Sequence, residues 1–578
     1  MVKEEFLTEY PRPQFKRASF ISLNGKWNYA IRKDRDFVTK FDGEILVPYC
    51  IESRLSGVQK FLKKNEFLHY QKLVEIPKNF NKGIVLLNFQ AVDQICHLYI
   101  NKKYVKSHVG GYLPFSFDIT PYIDESFKQQ EIYLVVQDDV TSGKYARGKQ
   151  SENPKGIWYT QTTGIWQSVF LESVPKNYIS KFDISCDYDK GEVHFEYKSK
   201  EIFKDLKVKI KFNKKEITTL KPKEKSFSYH FRKFESWTPE NPNLYDVIID
   251  YPDDHIETYF GMRKFSIIKN KERKNLFALN NKPILLSGVL DQGYFKDGIY
   301  TPSSYSQIEN DILTMKKMGF NMLRKHIKIE LPYFYYYCDK YGMIVWQDFV
   351  SGGNNISNFY WLVRPFLKNT FNDFKYKKLG RINEDSCKQF LKEMKETVDY
   401  LKSTTCICGW TIFNESWGQF RSKECSKYLR TLDNTRIIDS TSGWYDTYSG
   451  DCISRHFYFQ KIKFPQSYYR VAFLSETGGF RYPIGHTKFK KKGDNIYYKV
   501  FHSKEELENA FSNLYLKSIK RAIIKDGLSG IVYTQLSDVE DEVNGFLTYD
   551  RKTLKVNPEK ISEVNSEIQK EFALVNKM

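Results

Sequence analysis

The second half of the chain alternates between apolar strands and helices, and this alternation constrains the fold more than any other feature. From about residue 267, eight apolar segments are predicted strands: "PILLSGVL" (283–290), "NMLRKH" (321–326), "MIVWQDF" (343–349), "CICGWTIFNE" (406–415), "RIIDSTSG" (436–443), "CISRHFY" (452–458), "VAFLSETGG" (471–479) and "LSGIVYTQL" (528–536). Helical segments are predicted between most of them, at 306–318, 330–341, 384–402, 420–429 and 504–525. Eight strands with helices between them indicate a (β/α)8 barrel.

The preceding residues contain short strands instead. Up to about residue 175, segments such as "GKWNYAI", "IVLLNF" and "IYLVVQ" are separated by turns, which predicts a β-sandwich. Residues 176 to about 266 hold six further strand segments, a number typical of an immunoglobulin-like sandwich. A chain of 578 residues is too long to fold around one hydrophobic core. We therefore predict three domains, 1–175, 176–266 and 267–578.

The net charge of +20 raises nucleic-acid binding as an alternative. The lysines are scattered, and the one dense run, Lys488 to Lys492, lies in a polar insertion. This distribution favours a solvated surface over a nucleic-acid stripe, so no nucleic-acid partner is predicted.

The nine cysteines are odd in number and include no CxxC pair, which predicts reduced, buried thiols in a reducing compartment. The first residues, "MVKEEFLTEYPRPQF", lack the apolar region of a signal peptide, and no window of 18 apolar residues exists. We therefore predict a cytoplasmic protein without a membrane partner.

The active site of such a barrel lies at the carboxyl ends of its strands. Polar or aromatic residues lie at or near the end of every predicted strand: Asp291, Arg324, His326, Asp348, Asn414, Glu415, Asp439, Trp444, His456, Glu476, Gln535 and Asp538. For Asp348 or Asp538 alone, a helix cap or salt bridge is the favoured reading. Two glutamates that end strands four and seven are poorly explained in that way.

Two carboxyl groups that face each other across a pocket are what glycoside hydrolysis requires. One must be protonated to assist the leaving oxygen, and the other must be ionised to attack the anomeric carbon. Glu415 and Glu476 lie on opposite sides of the predicted barrel mouth. Beside them, Asn414 is positioned to hold a substrate hydroxyl, and Trp417 and Trp444 to stack on a sugar.

Several motifs carry a resemblance that covers nearly the whole chain. "FNESWG" and "FLSETGG", together with "LNGKWNYAI", "HVGGYLPFSFDIT", "GIWYTQTTGIWQSVFLE", "FGMRKF" and "VLDQGYFKDGIYTP", resemble glycoside hydrolase family 2, the family of β-galactosidases, β-glucuronidases and β-mannosidases. The resemblance implies that the first sandwich is a sugar-binding-like jelly roll and that the barrel is catalytic. It implies a retaining exo-β-glycosidase that works through a covalent glycosyl-enzyme.

Carried over residue by residue, the resemblance makes Glu415 the acid/base and Glu476 the nucleophile. The other implied substrate-binding residues are Asn414, Asp291, Arg324, His326, His456, Trp417, Trp444 and Gln535. Two positions depart from the family pattern: one residue is missing between Arg324 and His326, and Thr477 replaces an aromatic residue. An ionised Glu476 beside Glu415 is expected to raise the pKa of Glu415.

The sequence favours a neutral β-glycoside, above all a β-galactoside. The β-glucuronidases of this family carry an Asn-x-Lys element that binds the uronate, and Asn544 stands at the expected lysine position. Alternatives are a β-glucuronide, β-mannoside or β-arabinopyranoside, hydrolysed by the same mechanism, and a non-catalytic carbohydrate-binding protein. No cofactor is required, no metal ligands are assigned, and a divalent cation has no traceable ligand set. The substrate is a small-molecule or oligosaccharide β-glycoside, and homo-oligomers are compatible with the resemblance.

Overall fold

The computed structural model describes residues 7–367, 369–484 and 499–577. The lysine run at 488–492 lies outside the described residues. Three hydrophobic cores divide the structure into a first sandwich, a second sandwich and a barrel. Among the described residues, no helix is both long enough and apolar enough to cross a membrane.

The first sandwich packs two antiparallel sheets around one core. Its six-stranded sheet has the spatial order Gly43–Val47, Gly25–Arg32, Phe67–Val74, Gln130–Gln137, Ile95–Ile100 and Lys103–Val109. Its four-stranded sheet has the order Phe115–Asp118, Ile84–Phe89, Val169–Val174 and Phe20–Ser22. Short pairs join Gln150–Ser151 to Tyr159–Thr160 and Gly164–Ile165 to Val92–Asp93.

The second sandwich borrows a strand from the start of the chain, which the sequence did not indicate. Its larger sheet has the order Lys16–Arg17, Asp254–Phe260, Tyr245–Tyr251, Lys207–Phe212 and Lys215–Leu220. Its smaller sheet has the order Lys181–Asp187, Glu192–Lys198 and Ser226–His230. The borrowed strand is fastened by the buried Arg17, whose Nε donates to Asp254 at 3.0 Å.

The prediction of a (β/α)8 barrel is confirmed. Eight parallel strands form one sheet, in chain order Leu286–Asp291, Met322–Lys325, Ile344–Asp348, Ile407–Asn414, Ile437–Ser442, Cys452–Phe457, Val471–Gly478 and Leu528–Thr534. We number them as barrel strands one to eight. Strands five and six lie at the two ends of the sheet order and contact each other without a paired ladder, so the barrel is nearly closed.

Helices surround the barrel at Tyr305–Lys317, Pro332–Tyr341, Arg364–Leu367, Glu384–Leu401, Ser422–Leu432, Lys504–Asn513, Lys520–Asp526 and Pro558–Val575. Shorter or irregular helical turns occupy Pro13–Phe15, Thr120–Tyr122, Phe359–Val363, Tyr376–Leu379 and Leu514–Ile519. The last long helix was not predicted from the sequence. A small sheet, Phe265–Lys269, Asn275–Leu279 and Lys282–Pro283, precedes the barrel. Its Phe277 packs in the barrel interior against Trp346 and Phe473.

The nine cysteines are free, and all but the half-buried Cys186 are buried. Burial of these side chains is as predicted, and a reducing environment stays a prediction. Cys406 and Cys408 flank the start of barrel strand four, where both are fully enclosed.

A long loop of the first sandwich, residues 138–163, reaches the mouth of the barrel; we call it the sandwich loop. Ala146 pairs with Gly352, and the Arg147 N–H donates to the Ser351 carbonyl at 3.1 Å. Farther along the loop, the Tyr159 hydroxyl donates to Glu542, and the Thr160 N–H donates to Glu540 at 2.9 Å. The loop thus contacts the barrel after strand three and after strand eight.

Candidate active site

A cavity of about 1010 Å³ opens at the carboxyl ends of the barrel strands. Four parts of the chain line it: the sandwich loop, Ile327 after strand two, the segment 353–361 after strand three, and residues at or just after the ends of strands four to eight. The lining includes Arg147, Lys149, Trp158, Asn355, Trp361, Asn414, Glu415, Trp417, Trp444, His456, Tyr458, Arg481 and Glu542. Of the residues predicted to converge on one pocket from the strand ends, Asn414, Glu415, Trp444 and His456 line this cavity.

Glu415 follows directly on strand four in a backbone conformation that few side chains adopt. Its φ is +48°, and that of Ser416 is +65°, both in the left-handed region. The Glu415 N–H donates to the Ser442 carbonyl on strand five at 2.9 Å, and the Trp417 N–H donates to the Asn414 carbonyl at 3.0 Å. The chain turns sharply at this point because these bonds hold it there, and Glu415 lines the cavity as a result.

The two glutamates lie close to each other, as the chemistry requires. Oxygen atoms of Glu415 and Glu476 and a nitrogen of His456 all lie within 4.8 Å of one another. A retaining glycosidase places its carboxyl groups about 5–5.5 Å apart, whereas an inverting enzyme needs about 6.5–9.5 Å. The arrangement therefore fits retention.

Two hydrogen-bond donors hold the side chain of Glu476. The guanidinium Nη1 of Arg324 lies 3.1 Å from Oε1, and the Tyr458 hydroxyl donates to Oε2 at 2.6 Å. Arg324 thus places a permanently charged guanidinium beside this carboxyl group. Tyr458 was missed in the sequence, although it stands two residues after His456, and side chains two residues apart along a strand share one face.

Arg324 also connects Glu476 to residues at the carboxyl ends of strands three and four. Its Nε donates to Asp348 Oδ1 at 3.0 Å, and its Nη2 donates to Asn414 Oδ1 at 2.9 Å. Asp348 Oδ2 in turn lies 2.7 Å from His326 Nδ1. Burial raises the pKa of Asp348, but the charge of Arg324 and the bond to His326 outweigh it and lower that pKa. Arg324, His326 and Asp348 thus form a buried layer beside the glutamates rather than part of the cavity wall.

The expectation that Glu415 has a raised pKa is wrong for this arrangement. Burial does raise it, but the hydrogen bond and the charge of His456 lower the pKa of Glu415 to about 2. His456 Nδ1 lies 2.9 Å from Glu415 Oε1 and 3.3 Å from Glu476 Oε2. The imidazole therefore lies between the two carboxylates and offsets their mutual repulsion, which the sequence argument did not include.

A His456→Gln variant is expected to move the basic limb of the kcat/KM pH profile upward by roughly one unit, the smaller end of the effect of a nearby opposite charge. Without the imidazolium charge, the depressed pKa of Glu415 rises, so its protonated form persists to higher pH. A pH profile measured with a nitrophenyl glycoside checks this. Trp444→Phe is the control. The ring centres of Trp444 and His456 lie 5.6 Å apart, so the substitution changes a neighbour of His456 without removing a charge. A basic limb that stays in place or moves down contradicts the assignment.

The predicted tryptophans differ in their surroundings. Trp417 and Trp158 meet edge to face, and the Arg147 guanidinium lies 5.0 and 5.1 Å from the two ring centres. The face of Trp417 that Arg147 covers is therefore closed to a sugar. Trp444 lines the cavity and packs against His456.

Asp291 and Gln535 do not line the cavity. Asp291 accepts from Lys325 Nζ at 2.6 Å and from the Gly293 N–H at 2.8 Å, inside a buried network that continues to Glu330. The Gln535 amide donates to Asn544 Oδ1 at 2.7 Å. Both side chains form hydrogen bonds within the protein. A position at the end of a strand was therefore not enough to predict that a side chain faces the cavity.

The two remaining carboxylates at strand ends, Asp538 and Asp439, are buried within the protein. Asp538 accepts from Lys555 Nζ at 2.6 Å, which agrees with the salt-bridge reading. Asp439 is enclosed within the barrel, where burial raises its pKa to about 6. Within the described residues, Glu415, His456 and Glu476 are the one group whose ligand atoms converge as a metal site would require. A metal there would occupy the space between the two glutamates, so we assign none.

Most of the chain matches profiles of one protein family. Residues 45–175, 170–263 and 271–549 match the family profiles described as "Glycosyl hydrolases family 2, sugar binding domain", "Glycosyl hydrolases family 2" and "Glycosyl hydrolases family 2, TIM barrel domain". Together these matches span most of the sequence.

Individual relatives are distant. A β-galactosidase of Actinobacillus pleuropneumoniae is 22% identical over 375 residues, which is 62% of this chain and 36% of that protein. A putative β-glucuronidase of Formosa agariphila is 24% identical over 310 residues, 50% of this chain and 36% of the relative. The chain thus spans little more than a third of these two relatives. The structure of an uncultured Clostridium β-glucuronidase superposes with a TM-score of 0.73 at 17% identity, covering 98% of this chain and 100% of that one, which shows a shared fold.

Proposed function

The chain belongs to glycosyl hydrolase family 2, and from this membership and the cavity geometry we propose that it is a retaining exo-β-glycosidase. Glu476 is the nucleophile and Glu415 the acid/base in this proposal. The observation that carries it is the pair of glutamate carboxyl groups within 4.8 Å of each other, one bonded to Arg324 and the other to His456.

The proposed reaction has two balanced steps. A Glu476 oxygen attacks the anomeric carbon, the bond from that carbon to the leaving oxygen breaks, and Glu415 delivers a proton to that oxygen. Water then gives a proton to Glu415 and attacks the anomeric carbon, and the ester bond to Glu476 breaks. Two inversions retain the β configuration.

The lowered pKa of Glu415 limits the fraction of the enzyme that carries the proton needed in the first step. His456, whose Nδ1 lies 2.9 Å from Glu415 Oε1, makes the largest of the contributions that lower this pKa.

Exo action on a terminal sugar is proposed from the family membership. The sandwich loop and the segment 353–361 line the cavity beside the ends of the barrel strands, so a bound sugar would be in reach of all three parts.

For the sugar, we favour a neutral β-glycoside and above all a β-galactoside. Glu542, after strand eight, lines the cavity, and its carboxylate accepts from the Asn544 amide at 3.0 Å and from the Tyr159 hydroxyl. Each oxygen has a further lone pair for a sugar hydroxyl. A uronate carboxylate would be repelled by Glu542, and Asn544 supports Glu542 instead of binding an anion.

A β-glucuronide is the second candidate, favoured by one observation. Lys149 of the sandwich loop lines the cavity, and its charge acts on Glu415 and Glu542. An ammonium in this position is able to pair with a substrate carboxylate. Turnover of a panel of nitrophenyl β-glycosides separates the candidates: a galactoside preference supports Glu542 as the reader, and a glucuronide preference supports Lys149. No turnover of any glycoside would favour a non-catalytic carbohydrate-binding protein.

A Glu542→Gln variant is expected to lower kcat/KM for the preferred neutral glycoside by about 10- to 150-fold, the worth of a hydrogen bond to a charged group. Asp541→Asn is the matched control, because Asp541 lines the same cavity one residue away and is exposed. Equal kcat/KM values in the wild type and Glu542→Gln would remove Glu542 from the recognition of the sugar.

A further inference from the structure

Both nitrogens of the His456 imidazole have partners within the protein. Nδ1 lies 2.9 Å from Glu415 Oε1 and 3.3 Å from Glu476 Oε2. The other nitrogen, Nε2, lies 2.9 Å from the hydroxyl of Ser442, the last residue of barrel strand five. Because each nitrogen is bonded on its own side of the ring, the contact with Ser442 fixes which edge of the imidazole faces the two glutamates.

A chain of serine hydroxyls determines which partner donates at Ser442. Ser475 Oγ donates to the Arg455 carbonyl at 3.3 Å, and Ser442 Oγ donates to Ser475 Oγ at 2.9 Å. A hydroxyl carries one proton, so Ser442 accepts a hydrogen bond from His456 instead of donating one to it. Nε2 therefore carries a hydrogen, which leaves Nδ1 as the nitrogen that gains or loses a proton beside Glu415.

The backbone that follows Ser442 passes directly along the same ring. Gly443 has a φ of +82°, and a Cβ at this position would lie 2.7 Å from His456 Nδ1. Any larger residue at position 443 would displace the imidazole or strain the backbone. The ring centre of Trp444 lies 5.6 Å from that of His456. Residues 442–444 thus contact the imidazole with a hydroxyl, a bare glycine backbone and an indole.

Ser442 also contacts the acid/base residue, but through its backbone. Its carbonyl accepts from the Glu415 N–H at 2.9 Å, and the residue is fully enclosed. The backbone bond to Glu415 does not depend on the side chain at position 442, whereas the bond to His456 does. A substitution of Ser442 by alanine therefore changes the support of the histidine and leaves that of the turn at Glu415 in place.

We propose that Ser442 is a positioning residue whose hydroxyl holds His456 with Nδ1 toward Glu415. By fixing this contact, Ser442 sets the pH range over which Glu415 keeps the proton that it must deliver. The titratable groups around the imidazole are Glu415 after strand four, Glu476 on strand seven and the enclosed Asp439 on strand five, on which the charge of His456 acts. Ser442 carries no charge, so its removal changes none of these groups directly. The inference rests on the proposed function, because it requires Glu415 to be the acid/base.

The test is the pH profile of kcat/KM for Ser442→Ala, which leaves the hydrogen on His456 Nε2 without its acceptor. We expect the contact of Nδ1 with Glu415 to weaken and the basic limb to move upward, by at most the roughly one unit expected for His456→Gln. If Ser442→Ala does not fold, as judged by circular dichroism, Ser442→Cys takes its place, because a thiol is only a weak hydrogen-bonding group.

Ser440→Ala is the matched control. Ser440 is equally enclosed on the same strand, and its hydroxyl is bonded to those of Ser426 and Ser449. The basic limb of this variant should coincide with that of the wild type. A limb that moves equally in Ser440→Ala and Ser442→Ala would overturn the inference, because the shift would then follow from any lost hydroxyl in this strand.

A double-mutant cycle establishes whether Ser442 acts through His456. In a His456→Gln background, Ser442→Ala should move the basic limb no further. A limb that stays in place in Ser442→Ala alone, or that moves by the same amount in both backgrounds, would contradict the positioning role.

A leaving-group series with Glu415→Ala separates this inference from the proposed function. If Glu415→Ala loses the same activity for all leaving groups, the acid/base assignment fails and this inference fails with it. If Glu415→Ala spares glycosides with acidic leaving groups while the limb of Ser442→Ala stays in place, only the role of Ser442 is refuted.

Discussion

A Glu476→Ala variant is expected to lose about four orders of magnitude or more in kcat, comparable with the removal of a catalytic nucleophile elsewhere. The substitution removes the atom that forms the covalent intermediate, while Arg324 keeps its bonds to Asp348 and Asn414. The fold should therefore survive, and Tm and circular dichroism establish this before turnover is compared.

Azide separates a lost nucleophile from a damaged site. A small anion can enter the space left by the side chain and attack the anomeric carbon from the same face, so Glu476→Ala with azide should form the α-glycosyl azide. Glu152→Gln, which changes an exposed carboxylate in the cavity lining, serves as the control and should keep most of its activity. Equal turnover in the wild type and Glu476→Ala would refute the nucleophile assignment.

A Glu415→Ala variant is expected to lose activity according to the leaving group. For an alkyl or sugar aglycone, which needs a proton in order to depart, the loss should be about 10²- to 10⁴-fold, the usual contribution of a general acid. For a dinitrophenyl glycoside, whose leaving group needs no proton, the first step should be nearly unaffected. The measurement is kcat/KM across aryl glycosides of graded phenol acidity.

The second step gives an independent readout for Glu415. Without its base, the glycosyl-enzyme should accumulate, and azide should attack it from the opposite face to give the β-glycosyl azide. Ser416→Ala is a matched control, because Ser416 shares the strained turn after strand four and its hydroxyl donates to the Glu415 backbone carbonyl. A loss that is the same for all leaving groups would assign Glu415 to substrate binding.

The barrel was predictable because its strands are buried on both faces, which gives continuous apolar runs that are readable without tertiary information. The glutamate pair was predictable for a related reason: parallel strands bring their carboxyl ends to one edge, so Glu415 and Glu476 had to approach each other. The resemblance to a family then supplied their roles, which position alone did not.

Other features depend on contacts that no local pattern contains. The strand borrowed at Lys16–Arg17 pairs with residues near 256, and the sandwich loop lines a cavity in a different domain. Asp291 is polar at a strand end, as predicted, but Lys325 on the neighbouring strand engages it. The pKa of Glu415 was misjudged because His456, which lies between the glutamates, was assigned to the sugar alone.

The hydrogen bonds from Tyr159 to Glu542 and from Thr160 to Glu540 also limit how this chain can be cut into separately expressed domains. They place one wall of the pocket on an element that is far from the barrel in sequence. A recombinant barrel that begins near residue 267 would keep both glutamates but would leave Glu542 without its tyrosine and the pocket open on that side. Engineering that swaps the first domain between homologues should therefore alter which sugar is accepted, even where every barrel residue is unchanged.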